Sequence, residues 1–332
     1  MTDFYDVIYN AINHQAQAIP DTLRNVRERD RHLIKGKQMI FTGCGDSYAV
    51  AEYGRWAFRP LGVDAIAVSP SELPRLPLDD VMVIGITASG RSLETIAALE
   101  HAQSHGAATV VLTDDREGKA AEHADYIWET KSGVSTYNTS PSAPTTSAMA
   151  YLLKLAVLYE AMPRTKIHQD SVRLENAGNA IVTWAEQRGK EIAHLLKPGD
   201  LVYLISEGPN HVAAQLGMMK FNEYSIMKGT SALREEFRHH YNLSVKDDDP
   251  VLLITDAPTS ELDSAYMSVL TDTLKMRSYH LYCPEALYLE SPLGQTIANS
   301  IALQMASYHF AVTHDPEKKW FKLPHAEAFR IY

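Results

Sequence analysis

Residues 81–106 read VMVIGITASGRSLETIAALEHAQSHG, and this stretch restricts the fold more than any other. Val81–Ile86 is an unbroken apolar run rich in β-branched side chains. Such a run does not alternate between faces, so it predicts a strand covered on both sides. Leu93, Ile96, Ala97 and Leu99 then recur at helical spacing, and Gly106 supplies a stop. A strand of this kind followed by a helix belongs in a parallel sheet with helices on each face. Between the two lies Thr87-Ala88-Ser89-Gly90-Arg91-Ser92, with three hydroxyls and a glycine. The first N–H groups of a helix have no partner within it, and its dipole favours negative charge there. Hydroxyls added to those groups make a receptor for a phosphate-sized anion. An ordinary turn capped by serine or threonine carries the same pattern, so both readings stand on this stretch alone.

The same alternation runs through the first half of the chain. Met39–Gly43, Val63–Val68, Ala108–Thr113 and Tyr126–Trp128 read as further strands. Residues 1–35 read as helical, with a break at Pro20, and Ser147–Ala161 reads as a long apolar helix. Lys131–Thr146 is rich in Ser, Thr, Gly and Pro and reads as a loop. The order β-α-β-α-β predicts an α/β fold with a doubly wound sheet. In the second half one amphipathic helix is expected over Ser171–Leu196. Strands are expected at Leu201–Ser206, Val251–Thr255 and Ser278–Cys283, and a helix from Gln295 to Val312. Gly45 and Gly54 are nine positions apart, as are Gly208 and Gly217, and each pair follows an apolar strand. That offset, with matching strand order, points to two copies of one unit, although any two strand–helix units share some likeness.

Composition removes several classes of function. The 332 residues carry 31 Lys+Arg against 41 Asp+Glu, a formal charge of −10. Phosphate backbones attract basic surfaces, so nucleic acid is not an expected partner. Cys44 and Cys283 form no metal-ligand spacing, and neither a disulfide framework nor a metal site is expected. The start of the chain lacks the basic and apolar regions of a signal peptide. The longest apolar stretch, 148–162, is interrupted by Lys154 and Glu160, so no membrane span is expected. A cytoplasmic protein is the expectation.

Gly43-x-Gly45 after a strand invites a dinucleotide reading, which fails twice. Tyr48 stands where the third glycine belongs, and no acidic residue ends the next strand. No phosphate-loop G-x-x-x-x-G-K-[ST] occurs either. What remains is Ser47 on a glycine-rich turn at the carboxyl end of a strand, where ligands of doubly wound sheets bind.

GCGDSY at 43–48 and TASGRSLET at 87–95 resemble the two ligand loops of the SIS (sugar isomerase) family, which read G-C-G-T-S-[YH] and S-Q-S-G-E-[ST]-x-[DE]-T. Within it the likeness is to the isomerase half of the glutamine–fructose-6-phosphate amidotransferases, and it covers nearly the whole chain. The resemblance implies two tandem SIS domains, each a flavodoxin-like parallel sheet in an αβα sandwich. The first would span 1–165 with the N-terminal helices, and the second 166–332 with the tail. It implies that Ser47, Ser89 and Ser92, with Thr87 in place of a serine, contact a sugar phosphate. Gly45, Gly90 and Arg91 on those loops, and Thr136 on the later loop GVSTYNT at 133–139, would join them in binding the substrate.

The second half extends the likeness. MMKFNEYSI resembles a family helix that carries a lysine and a catalytic glutamate, which places Lys220 and Glu223 there. REEFRHH places His239 at the family histidine, and DPEKKWFK places Lys322 at a lysine of the tail. The chemistry suits those types. Moving a proton between C1 and C2 of a sugar requires a positioned base, and Glu223 qualifies. Ring opening requires a group that titrates near neutrality, and His239 qualifies. Lys220 or Lys322 could stabilise an enediolate or form a Schiff base. Taken singly, Lys220 and Glu223 could equally be a surface ion pair, and His239 part of a solvated basic turn.

The departures matter as well. Ala88 stands for a glutamine, Arg91 for a glutamate, Asp46 for a threonine, and GVSTYNT replaces G-V-A-S-T-K-A. The first strand is reached at Met39 and no cysteine lies near the start, so drawing ammonia from glutamine is not expected. The expected activity is isomerisation of a sugar phosphate or amino-sugar phosphate, without metal or cofactor. The alternatives are an amino-sugar-phosphate deaminase or deglycase, and a non-catalytic phosphosugar sensor. The resemblance also implies a homodimer with a shared active site.

Overall fold

The structure, a computed structural model, describes residues 3–34, 38–135, 140, 142–162, 164–224, 226–256, 260–283, 287–319 and 328–331. In chain order these form α1 (Asp3–Asn13), α2 (Gln15–Asn25), α3 (Asp30–Ile34), β1 (Gln38–Gly43), α4 (Asp46–Phe58), β2 (Ala65–Val68), β3 (Val81–Ile86) and α5 (Leu93–Ser104). There follow β4 (Ala108–Thr113), β5 (Tyr126–Glu129), α6 (Ala143–Glu160), α7 (Lys166–Asn176), α8 (Gly178–Leu195), β6 (Leu201–Ser206) and α9 (Asn210–Tyr224). The rest are β7 (Lys228–Leu233), α10 (Arg234–His239), β8 (Pro250–Ile254), α11 (Glu261–Ser268), β9 (Arg277–Leu281) and α12 (Pro292–His314).

Two compact units result, and neither is one run of sequence. One is His14–Gly178 with Lys322–Tyr332, and the other is Met1–Asn13 with Asn179–Phe321. The first holds a parallel sheet in the order β2-β1-β3-β4-β5, with Ile40 opposite Val83 and Val83 opposite Thr109. β3 is buried along its whole length, as its unbroken apolar run requires. The helices approach closely where side chains are missing. A Cβ on Gly54 of α4 would lie 2.8 Å from the Phe41 ring, and one on Gly85 would lie 2.9 Å from Leu99.

The second unit holds a parallel sheet in the order β7-β6-β8-β9. Strand for strand this repeats β2-β1-β3-β4. The likeness reaches single positions: a Cβ on Gly217 of α9 would lie 2.8 Å from Leu204 of β6, as Gly54 stands to Phe41. α1 packs against α12 in this unit, with Tyr5, Ile8 and Ile12 buried. The Tyr5 hydroxyl donates to the Ala311 carbonyl at 3.2 Å and to that of Asp315 at 2.7 Å.

Three expectations about the elements need correction. Pro20 lies inside α2, and the chain breaks instead at Asn13 and Val26. The helix expected over Ser171–Leu196 is two helices, α7 and α8, parted at Ala177. A Cβ on Gly178 would sit 2.3 Å from the Ala16 carbonyl oxygen, so the chain turns where it passes that carbonyl. Ala16 is also the acceptor that Pro20, lacking an N–H, leaves without its helical donor. Finally, β7 was not expected at all. It is an edge strand with little burial and the sequence KGTSAL, which shows no apolar run.

Candidate functional site

In the first unit the chain leaves β1 toward β2 on one side and returns to β3 on the other. The carboxyl ends of β1 and β3 therefore bound the crevice where such sheets bind ligands. The strand ends are tightly set. A Cβ on Gly43 would lie 2.8 Å from the Ser47 Cβ and 2.9 Å from the Ile86 carbonyl oxygen. Gly45, with φ of 56°, then turns the chain into α4 and places Ser47 in its first turn. Across the crevice Thr87 donates its N–H to the Leu112 carbonyl at 3.1 Å. Gly90, with φ of 66°, lies so close to Gly118 that a Cβ would meet its Cα at 2.7 Å.

The hydroxyls on these loops are little used. Those of Ser47, Thr87 and Ser89 bond to none of the described residues. Ser92 stands at the N-cap of α5 without capping it by its side chain, and instead accepts from the Thr95 hydroxyl at 3.3 Å. Ser89 and Ser92 are buried, whereas Arg91 is exposed.

Asp46, Ser47, Ala88, Asp114, Thr130 and Thr145 line the crevice. Its free space of about 20 Å³ suffices for one water. Asp114 is spent on the scaffold, because it accepts from Thr130 Oγ1 and Ser132 N at 2.8 Å and from Ser132 Oγ at 2.5 Å. Asp46 accepts from Thr145 Oγ1 at 3.2 Å. Asp114 follows β4, Thr130 follows β5 and Thr145 lies in α6, and no local motif marks them as neighbours of Ser47. Thr136 and Lys322 lie outside the described residues.

In the second unit α9 brings Lys220 and Glu223 together. Lys220 Nζ donates to Glu223 Oε2 at 3.0 Å. The lysine side chain is 0% exposed and the glutamate 35%, so this is no plain surface pair. Lys318 donates to the Glu223 and Tyr224 carbonyls at 3.4 and 2.9 Å and so caps the end of α9. His239 is not brought to this pair. It ends α10 with a 77% exposed side chain, 3.8 Å from Glu235. Phe237, buried against Tyr203 with ring centroids 5.6 Å apart, anchors that helix. Among the described residues no group of three His, Cys, Asp or Glu could hold a metal ion, and no helix is long and apolar enough to cross a membrane.

Residues 32–161 match the SIS domain model. A glutamine–fructose-6-phosphate aminotransferase (isomerizing) of Thermococcus kodakarensis is 24% identical over 338 residues, 92% of this chain and 55% of that protein. Its counterpart in Aquifex aeolicus is 25% identical over 282 residues, 81% of this chain and 45% of that protein. The chain thus spans about half the length of the curated relatives it matches. Among solved structures, the C-terminal domain of glucosamine-fructose-6-phosphate aminotransferase from Francisella tularensis aligns with a TM-score of 0.78. That alignment covers 92% of this chain and 95% of the other at 18% identity. Glucosamine-6-phosphate deaminase from Thermotoga maritima aligns at 0.74, over 93% and 95% of the chains, at 15% identity. At those identities the likeness is one of fold.

Proposed function

Residues 32–161 match the SIS domain model, and from that premise we propose that the chain is an enzyme acting on a sugar phosphate or amino-sugar phosphate. One observation carries the reading. At the point where the strand order reverses, the hydroxyls of Ser47, Thr87 and Ser89 bond to no described residue, and Ser92 spends none of its bonding on capping α5. An ordinary capped turn would use that serine, whereas a receptor for a phosphate keeps its donors for the ligand. The repeated strand order supports reading the second unit as a second SIS domain.

In this reading Glu223 takes the proton from C2 of the open-chain aldose and returns it at C1, which yields the ketose. Lys220, fixed beside that carboxylate, stabilises the enediolate oxygen, a part Lys322 could share. Ring opening falls to His239. Its exposure suits delivery to the site of a neighbouring copy in a homodimer.

The fully buried amine of Lys220 favours a second reading within the same class. A 2-amino aldose isomerised in this way carries an imine at C2. Water adds there and ammonia leaves.

The test is incubation with sugar 6-phosphates and 2-amino-sugar 6-phosphates, following aldose, ketose and ammonia together. Isomerisation alone supports the first reading, and ammonia release the second. Glu223→Gln is expected to lower turnover at least about a hundredfold while leaving binding in place. Unchanged turnover in that variant would remove the proton-transfer assignment. Binding with no turnover of any substrate would leave a sensor.

A further inference from the structure

The second unit has a crevice of its own where the order β7-β6-β8 reverses. Gly208, with φ of 57°, turns β6 into α9 much as Gly45 turns β1 into α4. The cavity there holds about 140 Å³ and is lined by Ser206, Glu207, Arg234, Thr255, Asp256 and Asp263, among others. That is the volume of a few waters, at roughly 30 Å³ each, and less than a drug-sized pocket.

Arg234 dominates this cavity. Its side chain is only 13% exposed. Nη1 donates to Asp263 at 2.6 Å and to Glu207 at 3.4 Å, and Nη2 donates to the Leu262 carbonyl at 3.2 Å. The guanidinium lies 4.5 Å from the Tyr266 ring centroid. Asp263 is itself clamped by Ser260 in a capping box at the start of α11. Burial would raise the Asp263 carboxyl, but the Ser260 hydroxyl and Arg234 hold it below its ordinary value. The guanidinium is therefore held in place by Asp263, Glu207 and the Leu262 carbonyl before any ligand arrives. A guanidinium has five N–H donors, and the bonds above use three. The remaining two meet no described residue.

Those donors call for acceptor oxygens, while the surroundings do not favour a simple anion. Asp263 already neutralises Arg234, and Glu207 and Asp256 add two carboxylates at the same cavity. A lone carboxylate or phosphate would be repelled, and a lone amine would leave the guanidinium donors unused. Both demands are met by a ligand carrying opposite charges a few atoms apart.

We propose that this cavity binds a small zwitterion of the α-amino acid class, with its carboxylate on Arg234 and its ammonium on Glu207 and Asp256. Glu207, at 68% exposure and 3.4 Å from the guanidinium, is the partner free to exchange Arg234 for the ammonium. The inference rests on the second unit alone and stands whether or not the first unit binds a phosphosugar.

The experiment is calorimetric titration of the full chain with the common L-amino acids, each beside two matched halves. For L-serine the halves are 3-hydroxypropionate, which lacks the amine, and ethanolamine, which lacks the carboxylate. At least one amino acid is expected to bind at millimolar concentration or below, about tenfold or more tighter than either half. Glu207→Gln is expected to weaken the amino acid about tenfold while sparing the carboxylate half. Because that side chain is exposed, the variant keeps its fold, whereas Arg234→Gln also loosens α11. Ser47→Ala should leave the affinity unchanged. The proposal is overturned if no amino acid binds, if a half binds as tightly as the whole, or if Glu207→Gln binds like the parent.

Discussion

A lysine with no exposed side-chain surface and a glutamate about a third exposed respond differently to losing each other. Glu223→Ala leaves a buried ammonium without its carboxylate, and a loss of about 3 kcal/mol is expected. Lys220→Met leaves a carboxylate that water can reach and an apolar chain that fits the same space, so the expected loss is about 1 kcal/mol. Urea unfolding of the two variants checks the asymmetry, and equal losses would contradict it. At this scale the sequence was informative where a site is local. Ser47, Ser89 and Ser92 sit on two short loops whose residue types announce them. Asp114, Thr130 and Thr145 reach the same crevice only because the sheet brings three elements together, and nothing in their own neighbourhoods records that. The burial of Lys220 was likewise invisible, since a lysine three residues before a glutamate reads the same on a surface helix.

Among the elements, the tightest packing lies at glycines. Gly54 and Gly217 occupy matching places, each with a strand side chain 2.8 Å from where a Cβ would be. Adding a methyl group to a filled interface costs about 1–3 kcal/mol. Gly54→Ala and Gly217→Ala are each expected to fall in that range. Hydrogen exchange would show the first loosening α4 and the second loosening α9, and a large effect at only one site would weaken the case for a repeated unit.

A second expectation concerns α8 and α12, where His309 Nε2 lies 3.1 Å from Glu186. Burial lowers His309 below its ordinary value of 6.5, with Glu186 opposing the shift. The folded chain then binds this proton less readily than the unfolded one. The stabilisation is complete above pH 6.5 and declines as the pH falls through the lowered value. The urea midpoint should drop over that window, and His309→Gln should flatten the drop. A strand with an unbroken apolar run, such as β3, was readable for the same reason it is buried. β7 was not, because an edge strand with few core contacts needs no apolar run. α7 and α8 ran together because their break is imposed by the Ala16 carbonyl, far away in sequence.

For the molecule as a whole, the division at mid-chain suggested by the repeat does not coincide with either compact unit. α1 belongs with α12, through Tyr5 on the Ala311 carbonyl and Tyr9 stacked on Tyr308 at 5.0 Å. Removing residues 1–13 is therefore expected to loosen the second unit and leave exchange protection of β1, β3 and β4 unchanged. Mass-resolved hydrogen exchange reads both at once, and loss of protection in the first sheet would contradict the assignment. This was hidden in the sequence because an amphipathic helix shows that it will be covered but not by what.

The pairing of α1 with α12 also sets an order in time. A ribosome adds about 5–20 residues each second, so the partner of α1 is completed on the order of tens of seconds after α1 itself emerges. Through that interval Tyr5, Ile8 and Ile12 have no α12 to cover them, while the strands of the first sheet are already in hand. The emerging chain thus carries the uncovered apolar face of α1 past a unit able to fold first, and that face is where a holding chaperone is expected to bind.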